Sequence, residues 1–404
     1  MTAARPRGAA IAYAAVVPDR VLVAWGPELG GYDFGPGHPM QPVRVRLAMA
    51  LAEAAGLLEA PEVRRLAPTP LDDAGLEGVH EPSLIEAVRV LSADPGAATE
   101  IGAARFGIGP DVPAFAGMHE VSALICGTSV AAAGAVWSGE TEHAFAPAGG
   151  LHHALAGRCS GFCVYNDCSL AIAALLDAGA ERVAYVDVDV HHGDGVQWNH
   201  YADPRVLTCS IHESGRFLFP GTGFVDEVGV GEAAGTALNV PMPPFAGTAQ
   251  WLMALREVVV PAVEAFRPDV LVTQDGADSH HLDPLAHVET TIDVFPAMWA
   301  ELHALAHRAA GGRWLALGGG GYQLYSVVPR AWALLLGEML ERRLDGPLPE
   351  SWRAEASAAG GRSLPEEWLE DPGPETPEDL RRRARAEAER AVADAQAALA
   401  RARG

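Results

Sequence analysis

Apolar residues along this chain fall into two patterns. Short runs, apolar at most positions and rich in β-branched residues, occupy Val183–Val190, Val206–Ile211, Val270–Thr273 and Trp314–Leu317. Apolar on both faces, they predict the strands of a buried parallel sheet. Longer alanine- and leucine-rich stretches, Arg44–Leu58, Val121–Trp137 and Ser169–Ala178, predict helices. The two kinds alternate from about residue 40 to 345, which predicts an α/β fold with a central, mostly parallel sheet flanked by helices. Three strands run into polar or glycine-rich sequence: His191–Gly195, Gln274–Asp278 and Gly318–Tyr322. Ligands of open α/β sheets sit beyond the carboxyl ends of the strands, so these clusters are expected to converge on one site.

After residue 345 the pattern changes. Residues 346–374 are rich in proline, glycine and acid, and Thr376-Pro377-Glu378-Asp379 has the form of a capping box with proline at the first helical position. Leu380–Ala400 then reads as an exposed Arg/Glu/Ala helix without an apolar stripe. The expected organisation is one domain over residues 1–345, followed by a linker and a solvated helical tail over 346–404. No internal repeat is visible.

Composition narrows the chemistry. All 29 basic side chains are arginine; against 52 acidic ones the net charge is −23. Without lysine there is no Schiff-base or pyridoxal-phosphate lysine, no Walker-type phosphate loop and no serine–lysine dyad. Codon bias accounts for the missing lysine better than functional pressure does. The acidity argues against nucleic acid and anionic lipid as partners. We read no membrane span and, with Arg5, Arg7, Pro18, Asp19 and Arg20 interrupting Met1–Val23, no signal peptide. Cys126, Cys159, Cys163, Cys168 and Cys209 match no zinc-ribbon spacing and read as reduced thiols. The expectation is a cytoplasmic protein.

The segment Val186-Asp187-Val188-Asp189-Val190-His191 is the most informative. Residues two apart on a strand share a face, so Asp187, Asp189 and His191 are expected to project together. Such a polar row in apolar surroundings is costly unless something charged compensates it, and the segment holds neither lysine nor arginine. A cation held by Asp189 and His191, with Asp278 as the third ligand, matches a catalytic zinc site with an open position. His152-His153, after Gly149-Gly150, gains weight from Asp187 and Asp194, which could orient the rings. The four-glycine run ending in Tyr322 lets backbone approach a ligand closely and offers a phenolic donor.

Taken together and in order, His152-His153, Gly161–Asp167, Tyr185–Gly195, Gly276–Asp278 and Gly318–Tyr322 resemble the zinc-dependent histone deacetylase superfamily. Gly35–Met40 and Phe115–Glu120 resemble its bacterial acetoin-utilisation deacetylase branch most closely. The resemblance spans about residues 30–340 and leaves the C-terminal extension outside. It implies a single arginase/deacetylase-like domain with the site at the carboxyl ends of the strands. It implies Asp189, His191 and Asp278 as zinc ligands, with Fe²⁺ as an alternative occupant of so mixed a site. His152 and His153 match the catalytic histidines, Asp187 and Asp194 their carboxylate partners, and Tyr322 the tyrosine that polarises the substrate carbonyl. Asp111, Gly161, Phe162, Phe219, Leu285 and Gly320 match the walls and rim of an acyl-lysine tunnel, and Arg44 an internal acetate pocket. Asp187, Asp189, His191, Ser210 and Ile211 match a structural potassium site. His192, His280 and His281 read as flanking the ligand set, not belonging to it. The implied activity is hydrolysis of N-ε-acetyl-lysine in proteins, with an acetyl-CoA synthetase among the implied targets. Deacetylation of small amines such as acetylpolyamines, and acyl-lysine binding without catalysis, are the alternatives.

Overall fold

The computed structural model describes residues 20–403. Most of the Met1–Val23 segment read above for targeting therefore lies outside the described residues. Eight strands form one sheet: β1 (Val21–Ala24), β2 (Val63–Leu66), β3 (His143–Ala146), β4 (Val183–Asp187), β5 (Val206–Glu213), β6 (Ala237–Met242), β7 (Val270–Gln274) and β8 (Trp314–Leu317). The order is β2-β1-β3-β8-β7-β4-β5-β6, and every neighbouring pair is parallel. The expected α/β class holds, and the sheet is parallel throughout. The carboxyl ends of β3, β8, β7 and β4 are adjacent at its centre, which is why loops far apart in sequence meet there.

Both faces of the sheet are covered, as continuous apolar strands require. On one face Val186, Leu207, Leu271 and Ala316 pack with helices Val43–Ala54, Val294–Ala310 and Val328–Met339. On the other, Leu22, Ala144, Tyr185 and Val272 pack with helices Met118–Trp137 and Asp167–Asp177. Alternation along each strand sends successive side chains to opposite faces. The three helices read from sequence are present with ends shifted by up to four residues. Met118–Trp137 is long and apolar enough to cross a membrane, which the sequence reading passed over, yet 67% of its most apolar window is buried inside the fold. It is a core helix.

One expectation is overturned. The C-terminal segment is neither a bare linker nor a solvated helix. In the helix Glu378–Arg403, Ala384, Ala388, Val392, Ala395 and Ala398 are buried at spacings of three and four. They lie against the edge strand β6 and helix Thr248–Ala254, and the Gln396 side chain donates to the Glu257 carbonyl at 2.9 Å. An alanine stripe carries little hydrophobic weight by composition, so it escapes a search for leucine-like periodicity, but its short side chains allow close approach. The helix also shields a sheet edge that would otherwise be open to pairing. Upstream, Trp352 and Trp368 are buried, and Trp352 donates its indole N–H to the Leu47 carbonyl at 2.9 Å. Trp352→Ala is expected to lower unfolding stability by about 3–5 kcal/mol, read from urea transitions. A loss under about 1 kcal/mol would mean that this segment is thermodynamically separable from the domain.

Candidate active site

The loop after β4 carries the first ligands, and its geometry differs from the sequence expectation. β4 ends at Asp187, so Asp189 and His191 lie beyond the pleat. They are aligned by two successive side-chain turns. Asp187 Oδ1 accepts the backbone N–H of Asp189 at 3.2 Å, and Asp189 Oδ1 accepts that of His191 at 3.0 Å. Asx turns of this kind substitute for the sheet ladder where it stops.

Asp278, four residues past β7, closes the cluster. Its Oδ1 accepts the Val190 N–H at 2.8 Å, and its Oδ2 lies 3.1 Å from His191 Nδ1, as does Asp189 Oδ1. One ligand atom from each of Asp189, His191 and Asp278 falls within 4.8 Å of the others, and all three side chains are buried. Two buried carboxylates at this distance repel. Burial and Asp189 push Asp278 up to about 6, while Asp189 and Asp278 hold the His191 ring protonated against its burial. That proton does the work a divalent cation would do, so the donor set fits a metal ion.

The paired histidines come from the loop after β3, a strand the sequence reading did not identify. Asp167, at the start of its helix, fixes that loop by accepting the N–H groups of Gly150 at 3.1 Å and Leu151 at 2.7 Å. His152 Nδ1 donates to Asp187 Oδ2 at 2.8 Å, His153 Nδ1 donates to Asp194 Oδ1 at 2.6 Å, and the two Nε2 atoms lie 3.0 Å apart. The pairs are not equivalent. Burial opposes charge on His152, but Asp187, Asp189 and Asp194 together lift it to about 9. Burial and the charge of His152 push His153 down to about 4. At neutral pH one ring is cationic and the other is a neutral base.

Tyr322 stands edge-on to the His191 ring, with centroids 6.5 Å apart. Its backbone N–H donates to Asp283 at 2.7 Å, and its ring meets Phe162 edge-on at 5.7 Å. Burial, then Asp278 and Asp189, keep its phenol protonated and therefore a donor. Phe219 stands edge-on to the His153 ring at 5.0 Å and is 45% exposed. Gly161 precedes Phe162 at φ 51°, and a Cβ there would come within 2.2 Å of the His153 ring. Asp111 is exposed and accepts the Gly161 N–H at 2.9 Å; Leu285 is half-buried beyond Asp283. Gly320 donates its N–H to Asp189 Oδ2 at 2.7 Å, and a Cβ there would sit 2.1 Å from Asp278 Oδ2. Arg44 is buried against Trp332, donates to the Gly319 carbonyl at 2.6 Å and lines a small cavity of about 20 Å³ with Tyr32 and Met40. Asp187 lies in register with Ser210 across the β4–β5 pair, with Ile211 following.

Several residues here went unassigned in the sequence reading. Gln274 donates to Asp189 Oδ2 at 2.7 Å and to the Gly150 carbonyl, linking the metal cluster to the histidine loop. Tyr185 donates to Asp187 Oδ2 at 2.6 Å; its place two residues before Asp187 on β4 was the available signal. Asp371 accepts from both His280 and His281 at 2.7 Å, which occupies those two histidines away from the ligand cluster. A contact across about ninety residues has no local signature.

A buried Asp–His–Asp cluster able to hold a metal ion, flanked by two histidine–aspartate pairs at the carboxyl ends of a parallel sheet, is the arrangement of a candidate hydrolytic site on an α/β fold. Comparison with known proteins identifies the family. The histone deacetylase domain matches residues 38–339. Over 366 residues the chain is 38% identical to the acetoin utilization protein AcuC of Bacillus subtilis (strain 168), covering 89% of this chain and 93% of the relative. It is 35% identical over 346 residues to the protein of that name from Staphylococcus xylosus, covering 85% and 89%. The chain belongs to the histone deacetylase family, in its acetoin-utilisation branch, and is a deacetylase-type hydrolase.

Proposed function

We propose that the chain is a zinc-dependent protein lysine deacetylase, converting N-ε-acetyl-lysine and water into lysine and acetate. The observation that carries this reading is the geometry of two histidine–aspartate pairs, their Nε2 atoms 3.0 Å apart, beside a buried three-ligand cluster. A divalent ion held by Asp189, His191 and Asp278 would supply Lewis-acid polarisation of the acyl oxygen and acidify the attacking water.

The chain's own groups do the rest. His153 Nε2 takes a proton from the attacking water while Asp194 steadies the imidazolium that results. The same nitrogen returns the proton to the departing lysine nitrogen as the amide C–N bond breaks. Cationic His152, held by Asp187, stabilises negative charge developing on the acyl carbon's oxygens, and the Tyr322 hydroxyl donates to that oxyanion. Phe162 and Phe219 flank the apolar lysyl stem, with Gly161, Gly320 and the rim residue Leu285 completing the passage and Asp111 accepting from the substrate backbone. Arg44 serves the acetate product. Potassium at Asp187, Asp189, His191, Ser210 and Ile211 has a structural role, supported by the pairing of Asp187 with Ser210.

The exposure of Asp111 and Phe219 beside the mouth favours a substrate presented on a larger chain. The relatives are named for acetoin utilisation. Among acetylated protein substrates we propose acetyl-CoA synthetase as a target. The buried thiols of Cys126, Cys159, Cys163, Cys168 and Cys209 support a reducing, cytoplasmic setting. On zinc-loaded protein, kcat/KM for an acetyl-lysine peptide is expected to exceed that for acetylputrescine and acetylspermidine by at least about tenfold. A preference for the polyamines would sink the protein-substrate reading, and inertness toward every acyl amide would sink the hydrolytic one.

A further inference from the structure

Three histidines meet at the end of the sheet opposite the site above. His143 opens β3, and His303 and His307 lie four residues apart on the helix Val294–Ala310, hence on one face. One ring nitrogen from each lies within 4.8 Å of the others. The Nε2 atoms of His303 and His307 are 3.1 Å apart. Two nitrogens on one tetrahedral zinc ion, each bonded at about 2.0–2.1 Å, stand about 3.3 Å apart.

Two independent features point to a ligand. His143 is fully buried, and neither of its ring nitrogens makes a hydrogen bond of normal geometry, although a backbone group of Gly312 is near enough to interact with the ring. A buried polar group left unpaired costs about 1–3 kcal/mol, so native folds rarely keep one without a use for it. His303, meanwhile, turns its other nitrogen, Nδ1, toward Glu338 Oε1 at 3.0 Å. A carboxylate behind an imidazole is what fixes the tautomer and orientation of a metal-ligating histidine. Trp314 stacks on His303 with centroids 5.7 Å apart and meets His143 edge-on at the same distance, so two of the three rings are held in place. Burial and the neighbouring imidazoles push His143 down to about 3, and burial and His303 lower His307. His307 is exposed, giving an entry path and room for water. Arg20 at this edge is already engaged by Glu341 at 2.5 Å and Glu142 at 3.5 Å.

We propose that His143, His303 and His307 form a second divalent-metal site, of zinc type, in which Glu338 orients His303 and water completes the coordination. Three imidazole ligands select zinc and similar borderline ions over magnesium or calcium. The ion ties the start of β3 to the helix Val294–Ala310, on the far side of the sheet from catalysis, and its role is structural. The cluster of His280, His281 and Asp371 differs, because there the carboxylate already accepts from both rings.

The test is competition of chelator-stripped full-length protein with a chromophoric chelator for Zn²⁺, alongside thermal melts. Asp278→Ala removes a ligand of the first site, so this variant is expected to keep one zinc equivalent and to melt higher when zinc is added. Adding His307→Ala, at an exposed position with little folding risk, is expected to abolish both effects. Glu338→Gln in the Asp278→Ala background should weaken zinc about 10–100-fold. His307→Ala alone should leave deacetylase turnover unchanged. An Asp278→Ala protein that takes up no zinc, or takes it up equally well without His307, overturns the site.

Discussion

Asp278→Ala is expected to lose metal at the first site and to lower kcat by at least about 10⁴-fold, equivalent to about 5.5 kcal/mol of barrier. The size follows from what the residue touches. Asp278 Oδ2 lies 3.1 Å from His191 Nδ1, and its other oxygen holds the Val190 N–H. Without it, Asp189 and His191 remain as two ligands, short of the three protein ligands a catalytic zinc requires. The cluster also loses one of the two negative charges that make a cation favourable there. Elemental analysis and turnover of the purified variant, with circular dichroism to establish folding, check the prediction together. A folded variant that turns over acetyl-lysine normally would remove Asp278 from the metal site.

Tyr322→Phe is expected to keep its metal and its KM while losing about 10²–10³ in kcat, the usual effect of deleting one oxyanion donor. The separation of binding from rate has a structural basis. The Tyr322 ring is placed by its backbone bond to Asp283 and by edge contacts with Phe162 and His191, none of which uses the hydroxyl. Phenylalanine therefore fits the same place and lacks only the donor. Burial, reinforced by Asp278 and Asp189, keeps the native phenol protonated, so it acts by hydrogen bonding and not as an ionised group. A fall in kcat and kcat/KM by the same factor marks an interaction made in the transition state alone. Near-normal turnover would reassign oxyanion stabilisation to other groups.

Much of this was legible in the chain. The strands of β4, β5, β7 and β8 declare themselves because a parallel sheet covered on both faces demands continuous apolar runs. The polar stretches after three of them follow from where ligands sit on such sheets. β1, β2, β3 and β6 were not read; β2 (Val63-Arg64-Arg65-Leu66) and β3 (His143-Ala144-Phe145-Ala146) lack the continuous β-branched apolar run that signals a buried strand. The alternation of Asp187, Asp189 and His191 was visible, but its cause was misread as strand pleating where the structure uses side-chain turns. The tail was misjudged for a related reason. Hydrophobic patterning weighs leucine and valine, whereas the buried stripe of the last helix is mostly alanine.

By itself, then, the sequence determined the fold class, the family resemblance and the residues able to ligate a metal or carry a proton. These are properties of local spacing and side-chain chemistry, and they survive without knowledge of the neighbours. Only the tertiary structure decided which histidine is cationic and which is neutral. That difference comes from burial of both rings, offset at His152 by Asp187, Asp189 and Asp194 from the end of β4 and the segment after it, and reinforced at His153 by the charge of His152. It alone brought Gln274 to Asp189, Asp371 to His280 and His281, and His143 to the helix bearing His303 and His307. Such contacts span tens to hundreds of residues, and chain geometry sets them, because a parallel sheet places side by side strands that the sequence keeps apart.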